Sequence, residues 1–279
     1  MKKNYLYPFF LLIFAHLPSY GAMNLFSPEG GIPIDITSDN GIEIDRTNKV
    51  IVATGNAKVV REATTLYADK LYAFYEEDAE GNTVFWRLDA EGNFKITADQ
   101  GQITGENGTY DVRQEIVVIK GNPVVVKGEQ GTVVAHKQIE YYDTERRIIA
   151  RGQVKGTQGD QSIEAEVVEV FLKPDSANNT DPTAKAASDV SSLASDVDQI
   201  RAYTDITLKN KDGTVTGDRA IWFADTEQAT LTGDVTLKQL NNVLNGCRAE
   251  VNTASGSARL IGGACSEDDG ISGRFESKQ

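Results

Sequence analysis

The sequence predicts an all-β chain made of stacked two-strand repeats of about thirty residues, interrupted by one loop or short-helix insertion. Three observations predict it. Apolar residues recur with a period of two, the alternation of a half-buried strand. One nine-residue pattern, apolar-x-apolar-x-Gly-x-apolar-x-apolar, returns along the chain. Clusters of turn residues separate the strand-like runs. The 279 residues contain 25 Gly and only 7 Pro, as expected of many strands joined by tight turns.

The repeat begins as Ile51-x-Ala53-x-Gly55-x-Ala57-x-Val59. It returns around Gly92, Gly121, Gly152, Thr204, Gly233 and Gly262, at intervals of 37, 29, 31, 52, 29 and 29 residues. The interval of 52 holds one repeat and an insertion. The central Gly has the parity of the buried face, and its lack of a Cβ suits a sharp bend around a corner. Between these units lie second strands with related openings: Ala68-Asp69-Lys70, Ala135-His136-Lys137, Gly217-Asp218-Arg219 and Gly246-Cys247-Arg248. Each repeat is therefore two antiparallel strands and two turns. No single repeat buries its apolar face alone, whereas a stack buries a continuous one. Periodicity does not separate a filled core from a groove that admits an apolar ligand. The small inward residues Ala53, Ala57, Ala90, Ala150, Ala202, Ala229, Ala258 and Ala264 leave room for the groove. Trp86, Trp222, Tyr72, Phe74, Tyr141 and Tyr142 read as core.

The domain organisation follows. Residues 1–22 read as a signal peptide: Lys2 and Lys3, an apolar run from Tyr5 to Ala15, then small residues, with cleavage after Gly21 or Ala22. That run falls short of the ~20 apolar residues that span a bilayer. Residues 23–173 and 200–265 are the two parts of the β-structure. Residues 174–199 are a flexible insertion in which Val190, Leu193 and Val197 have the spacing of one helical face. Residues 266–279 are a polar C-terminal tail.

Composition narrows the function. The net charge is −13, from 28 basic and 41 acidic residues, which argues against nucleic-acid binding. The two His, at positions 16 and 136, leave no His-based triad or His-rich metal site. No catalytic constellation, metal site or cofactor motif is present in the sequence, and the chain does not read as an enzyme. Cys247 and Cys265, 18 residues apart, form a candidate disulfide in an oxidising compartment, with two free thiols as the alternative.

One segment carries a more specific signal: Pro33-Ile34-Asp35-Ile36-Thr37-Ser38-Asp39, then Thr54-Gly55-Asn56-Ala57, then Ala68-Asp69-Lys70. It resembles the opening of the LptA/OstA family of lipopolysaccharide-transport proteins. The resemblance implies a twisted antiparallel β-jellyroll, open along one side, that carries lipopolysaccharide across the periplasm. It implies partners too: the lipid A acyl chains, an inner-membrane ABC-transporter complex and an outer-membrane assembly barrel, met by edge-strand addition. Head-to-tail self-association belongs to the same picture. By match of motif, Ile34 and Ile36 line the acyl-chain groove. Strand parity extends the lining to Ile51, Val59, Ile96, Val117, Ile119, Ile148, Val154, Leu231 and Leu237. The competing readings are an exported structural β-solenoid or scaffold without lipid transfer, and a carbohydrate-acting enzyme on a β-helix.

Overall fold

The computed structural model describes residues 35–61, 63–98, 101–129, 131–174, 197–211, 213–239, 242–252, 257–262 and 271–274. The leader, Ile34, most of the insertion, Cys265 and much of the tail lie outside the described residues. Among the described residues there is no helix; twenty strands form one antiparallel sheet.

Six pairs of short strands, each pair crossing one bend, alternate with eight unbroken strands to make fourteen rungs. In chain order they are β1 (Asp35–Thr37) with β2 (Ile42–Asp45), β3 (Val50–Arg61), β4 (Thr64–Glu77), and β5 (Thr83–Glu91) with β6 (Lys95–Ala98). Next come β7 (Gly101–Thr104) with β8 (Asn107–Asp111), β9 (Ile116–Lys120) with β10 (Val124–Gly128), and β11 (Thr132–Ala135) with β12 (Gln138–Tyr142). Then follow β13 (Arg147–Gln158), β14 (Gln161–Leu172), β15 (Val197–Asn210), β16 (Gly213–Phe223), β17 (Gln228–Gln239) and β18 (Asn242–Asn252). The last rung is β19 (Ser257–Ile261) with β20 (Ser272–Arg274). Each rung pairs with the next, so the chain is a simple meander whose strands all fold at their middle. Two limbs result, facing one another across a shared core: the antiparallel β-jellyroll. At ~4.8 Å per strand the described stack is roughly 60 Å long.

The fold at each corner has a local cause. Thr54 pairs with Lys70 and Ala57 with Ala68, so Gly55 and Asn56 together face Asp69 alone. Both adopt left-handed backbone, at φ +80° and +43°. The same two-against-one bulge recurs at Gly152-Gln153, Thr204-Asp205 and Gly233-Asp234, all with positive φ. Gly92 and Asn93, between β5 and β6, repeat the conformation at +73° and +48°. Such bulges bend a strand and deepen its twist, and Gly and Asn tolerate the geometry best.

The second motif locks the first. The Asp69 amide donates to the Gly92 carbonyl at 2.9 Å, and the Asn93 amide group donates to both Asp69 carboxylate oxygens, at 3.0 and 2.9 Å. A Cβ on Gly92 would meet Asp69 Oδ2 at 2.2 Å, and one on Gly233 would meet Asp218 Oδ2 at 2.3 Å. Asp39 treats Gly55 and Asn56 in the same way. The Asp of each strand opening and the Gly of the next repeat are thus one interlocked corner.

Four sequence expectations need correction. Trp86 is not core: a bulge between Phe74 and Tyr75 shifts the parity of β5, so that Trp86 stacks outside, 5.6 Å from Phe74 and under Arg113 at 4.8 Å. Tyr72, Phe74 and Tyr142 share that outer, half-buried face, whereas Tyr141 and Trp222 are core. Val197 is not helical. It opens β15 opposite Leu172, where it is buried, so the sheet resumes before residue 200. The tail also contributes β20, which pairs Ser272–Arg274 with Val243–Asn245. Finally, the small inward residues leave little room: Ala53, Ala57, Ala90, Ala150, Ala202 and Ala229 are each at most 4% exposed within the apolar cluster, while Ala258 is exposed on β19 and Ala264 lies outside the described residues.

Thr204 is a β-branched residue at φ +67°, where such residues are strained. Thr204→Gly is expected to raise unfolding stability by about 1 kcal/mol in denaturant melts. Gly92→Ala, by contrast, adds a Cβ against Asp69 at a left-handed position and is expected to cost about 1–3 kcal/mol. Like signs for the two changes would refute this account of the corners.

Candidate functional site

The candidate site is the lining between the limbs. Register joins inward side chains into ladders that run from rung to rung. On the first limb one ladder passes Ile51, Ala73, Leu88, Tyr110, Val117, Tyr141, Ile148, Val170, Ile200, Trp222 and Ala229. On the second it passes Ile36, Val59, Leu66, Ile96, Ile103, Val126 and Val133, and later Ile163, Leu208, Val215 and Leu237. The alternation of each strand puts these residues on one face, and the corners turn the two faces toward each other.

The residues that the sequence points to distribute over both limbs. Ile51, Val117, Ile119, Ile148 and Leu231 lie on the first. Ile36, Val59, Ile96, Val154 and Leu237 lie on the second. Val59, Ile96, Val117, Ile119, Ile148, Val154 and Leu231 join one buried apolar cluster, with Ile36 and Ile51 half-buried against it. Leu237 is half-buried and lies outside that cluster. Ile34 and Cys265 lie outside the described residues. Sequence reasoning missed Leu66, Leu71, Ile103, Val126 and Val168, which the structure adds. The alternation of the second strand in each repeat was the signal for them.

The lining is closed along its middle. Val59 and Val235 are 0% exposed and Ile119 and Val154 1%, so water does not reach them. It opens at the ends of the stack: Ile42 and Ile44 on β2 hold lining positions opposite Ala53 and Ile51, yet are 46% and 58% exposed. β1 and β2 pair only with β3, and β19 and β20 only with β18, among the described residues. Each terminal rung therefore presents a sheet edge.

The polar chemistry lies mainly outside. Glu140, 5% exposed, is on the outer face of β12. It accepts hydrogen bonds from Arg151 Nε and the Tyr142 hydroxyl, both at 2.9 Å, and from Gln138. Burial alone would raise its carboxyl, but these bonds and the Arg151 charge hold it below its ordinary value. Aromatic rings on this face carry cations: Arg201 lies 4.5 Å over Phe171 and Arg147 5.0 Å over Tyr142. On the lining side, Tyr110 is pushed up to about 12 by burial, with Asp143 and Glu115 adding to the shift and Arg61 opposing it. Cys247 is disulfide-bonded and occupies the corner position opposite Gly233-Asp234. The arrangement suits burial of apolar matter, and the one buried carboxylate among the described residues is already committed to Arg151, Gln138 and Tyr142.

The family model described as LptA/(LptD N-terminal domain) LPS transport protein matches the chain twice, over residues 35–147 and 132–257. An uncharacterized protein of Rhizobium meliloti (strain 1021) is 33% identical over 98 residues, 34% of this chain and 52% of that protein. The chain thus spans about half the length of that relative. A solved structure of LptH, the LptA-homologous periplasmic component of the lipopolysaccharide transport device from Pseudomonas aeruginosa, aligns at 17% identity. The alignment covers 54% of this chain and 90% of that one, with a TM-score of 0.23.

The depressed Glu140 carboxyl sets a pH dependence. Its folded value lies below the ordinary 4.5, so its contribution to stability is fully present above 4.5 and is lost as pH falls through the folded value. Urea midpoints measured downward from pH 5 should fall more steeply in the native protein than in Glu140→Gln. Parallel curves would show that the Glu140 ion pair makes no such contribution.

Proposed function

The chain belongs to the LptA/LptD N-terminal domain family of lipopolysaccharide-transport proteins, and from that premise we propose that it ferries lipopolysaccharide across the periplasm by sheltering the acyl chains between its limbs. The family is one of transport and binding rather than catalysis. The observation that carries the reading is the pair of apolar ladders, the second interrupted only at Gly156 among the described residues, which runs along the sheet and surfaces at Ile42 and Ile44. Each buried CH₂ of an acyl chain is worth ~0.8 kcal/mol, so a water-filled crossing needs such a path. Because the lining is closed, lipid enters as the limbs part, and lipid–side-chain contacts take the place of side-chain–side-chain contacts. The sugar head stays in water at the seam, the line opposite the corners where the free ends of the limbs meet.

In this reading residues 1–22 direct export, and 23–173 with 200–265 form the carrier. The exposed edges of the first and last rungs accept strands from like-folded partners. Those partners are the inner-membrane ABC-transporter complex at one end, the outer-membrane assembly barrel at the other, and further copies of the chain head to tail. No force-generating chemistry resides here, so movement draws on ATP hydrolysis by the transporter complex.

A second reading is favoured by one observation. A lining as dry as that around Val59 and Val154 also suits a solid-cored exported scaffold. Site-specific photo-crosslinking separates the two. A photoreactive residue at Ile36 is expected to label lipopolysaccharide, while one at Lys58, the outward neighbour of Val59, is expected to give none. Absence of adduct at Ile36, Ile51 and Val117 alike would favour the scaffold.

A further inference from the structure

The second limb has an outward face that the lining leaves unused. Each rung gives that face two side chains. On every second rung one of the two is basic: Lys58, Lys95, Lys127, Lys155, Lys209 and Lys238, then Arg274 on the last. Each Lys is the chain neighbour of an inward residue, such as Val59, Val126 or Val154, and so points the other way. The intervening rungs hold no base at these positions and two acids, Asp35 and Glu164. Most of the rest are Thr or Ser, among them Thr65, Thr132, Thr157 and Thr216. In a chain of net charge −13 this face is therefore positive. With ~4.8 Å between rungs, the cations recur roughly every 10 Å along the stack.

Lys127, Lys155, Lys209, Lys238 and Arg274 are exposed. Lys155 also meets Glu164 at 2.7 Å, and Lys58 and Lys95 flank the Tyr67 ring at 5.9 and 5.6 Å. On the first limb, by contrast, outward bases pair with acids of their own face: Arg87 with Asp89, Arg151 with Glu140, Arg248 with Glu250. A small anion reaches one or two cations of the row, whereas a linear polyanion reaches them all and relieves their mutual repulsion. Lysine is a point charge on a flexible stem, suited to repeated single acid groups. A bilayer is a poorer fit. A sheet of fourteen rungs twists, so the row winds about the stack and only part of it meets any plane. A flexible polysaccharide follows the twist. One acid group per disaccharide spaces its charges close to the interval of two rungs, and the Thr hydroxyls between the cations face its own hydroxyls.

We propose that the outward face of the second limb binds a linear anionic polysaccharide, with one acid group per disaccharide, laid along the row from Lys58 to Arg274. The site lies on the opposite side of the sheet from the apolar lining. It is therefore independent of the carrier reading and open whether or not lipid sits between the limbs.

The test is binding of the mature chain to hyaluronan, which carries one carboxylate per disaccharide. Dextran serves as the neutral polymer and phosphatidylglycerol vesicles as the bilayer. The native protein is expected to bind hyaluronan, more weakly as salt rises, and to ignore dextran. Changing Lys127, Lys155, Lys209 and Lys238 together to Gln should weaken binding about tenfold, the combined scale of four exposed charge pairs. Changing Lys49, Lys70, Lys120 and Lys137 to Gln alters the net charge equally but leaves the row intact, and should leave binding unchanged. A third variant, Lys127→Thr with Thr132→Lys and Lys209→Thr with Thr214→Lys, moves two cations by one rung at constant charge. Its affinity should fall between those of the native protein and the first variant. No binding of hyaluronan by the native protein would overturn the proposal, and that measurement needs no variant to fold. Equal losses in the first two variants would reduce the effect to net charge, and full binding by the third would show that the spacing is irrelevant. Tighter binding to the vesicles than to hyaluronan would make the face a membrane contact instead. Lipopolysaccharide crosslinking at Ile36 reports on the carrier reading separately.

Discussion

The structure depends on one backbone device: at Gly55-Asn56, Gly92-Asn93, Gly152-Gln153, Thr204-Asp205 and Gly233-Asp234 two successive residues adopt left-handed φ where the strand turns its corner, and the rungs between them follow that bend. Without that step the meander would be a flat, twisted sheet with one face wet. With it, every rung folds at the same height, and the two halves of each apolar face meet. The step is kept in place from the preceding rung, by Asp39 for Gly55-Asn56 and by Asp69 for Gly92-Asn93. A motif pair that resembles a recognition signature in the sequence is, physically, a hinge pin and its socket.

Much of this was legible because each device repeats. The alternation and the spaced glycines located the corners, including Thr204, where glycine is replaced but the left-handed backbone is not. Parity placed the lining residues because a strand has only two faces. What parity does not carry is a bulge away from the corner. The one at Phe74/Tyr75 inverted Trp86, and its composition gives no sign of it. The last rung was also obscure. A bulge of the usual kind would set position 265 opposite Asn245, but Ser272 stands there, seven residues later. Those extra residues break the alternation that makes a strand visible. The fill of the interior was illegible for a related reason: inward alanines suggest space only until the packing shows how closely they are covered.

A closed lining and a carrier role are compatible when the exchange is between like surfaces. In the proposed carrier, parting the limbs over a short length would uncover apolar side chains, and an acyl chain would cover them again. The net change in exposed apolar area is small, and the gain comes from the lipid's own surface leaving water. The limbs are joined only through their corners and their packing, so local parting does not require the ladder hydrogen bonds to break. The half-buried residues toward the ends, Ile36, Ile51 and Leu237, are where that proposed parting would meet least resistance.

The two family matches overlap at residues 132–147, within the strands where β12 and β13 join. No interface divides the two modules: β13, β14 and β15 continue the ladder through full-length pairing. Alignment of one module's lining with the next is therefore settled when the polypeptide folds and is indifferent to protein concentration, unlike a joint formed by docking separate subunits. Such a tandem cannot swivel or come apart at its midpoint, so dilution or mechanical strain would act first on its two outer ends.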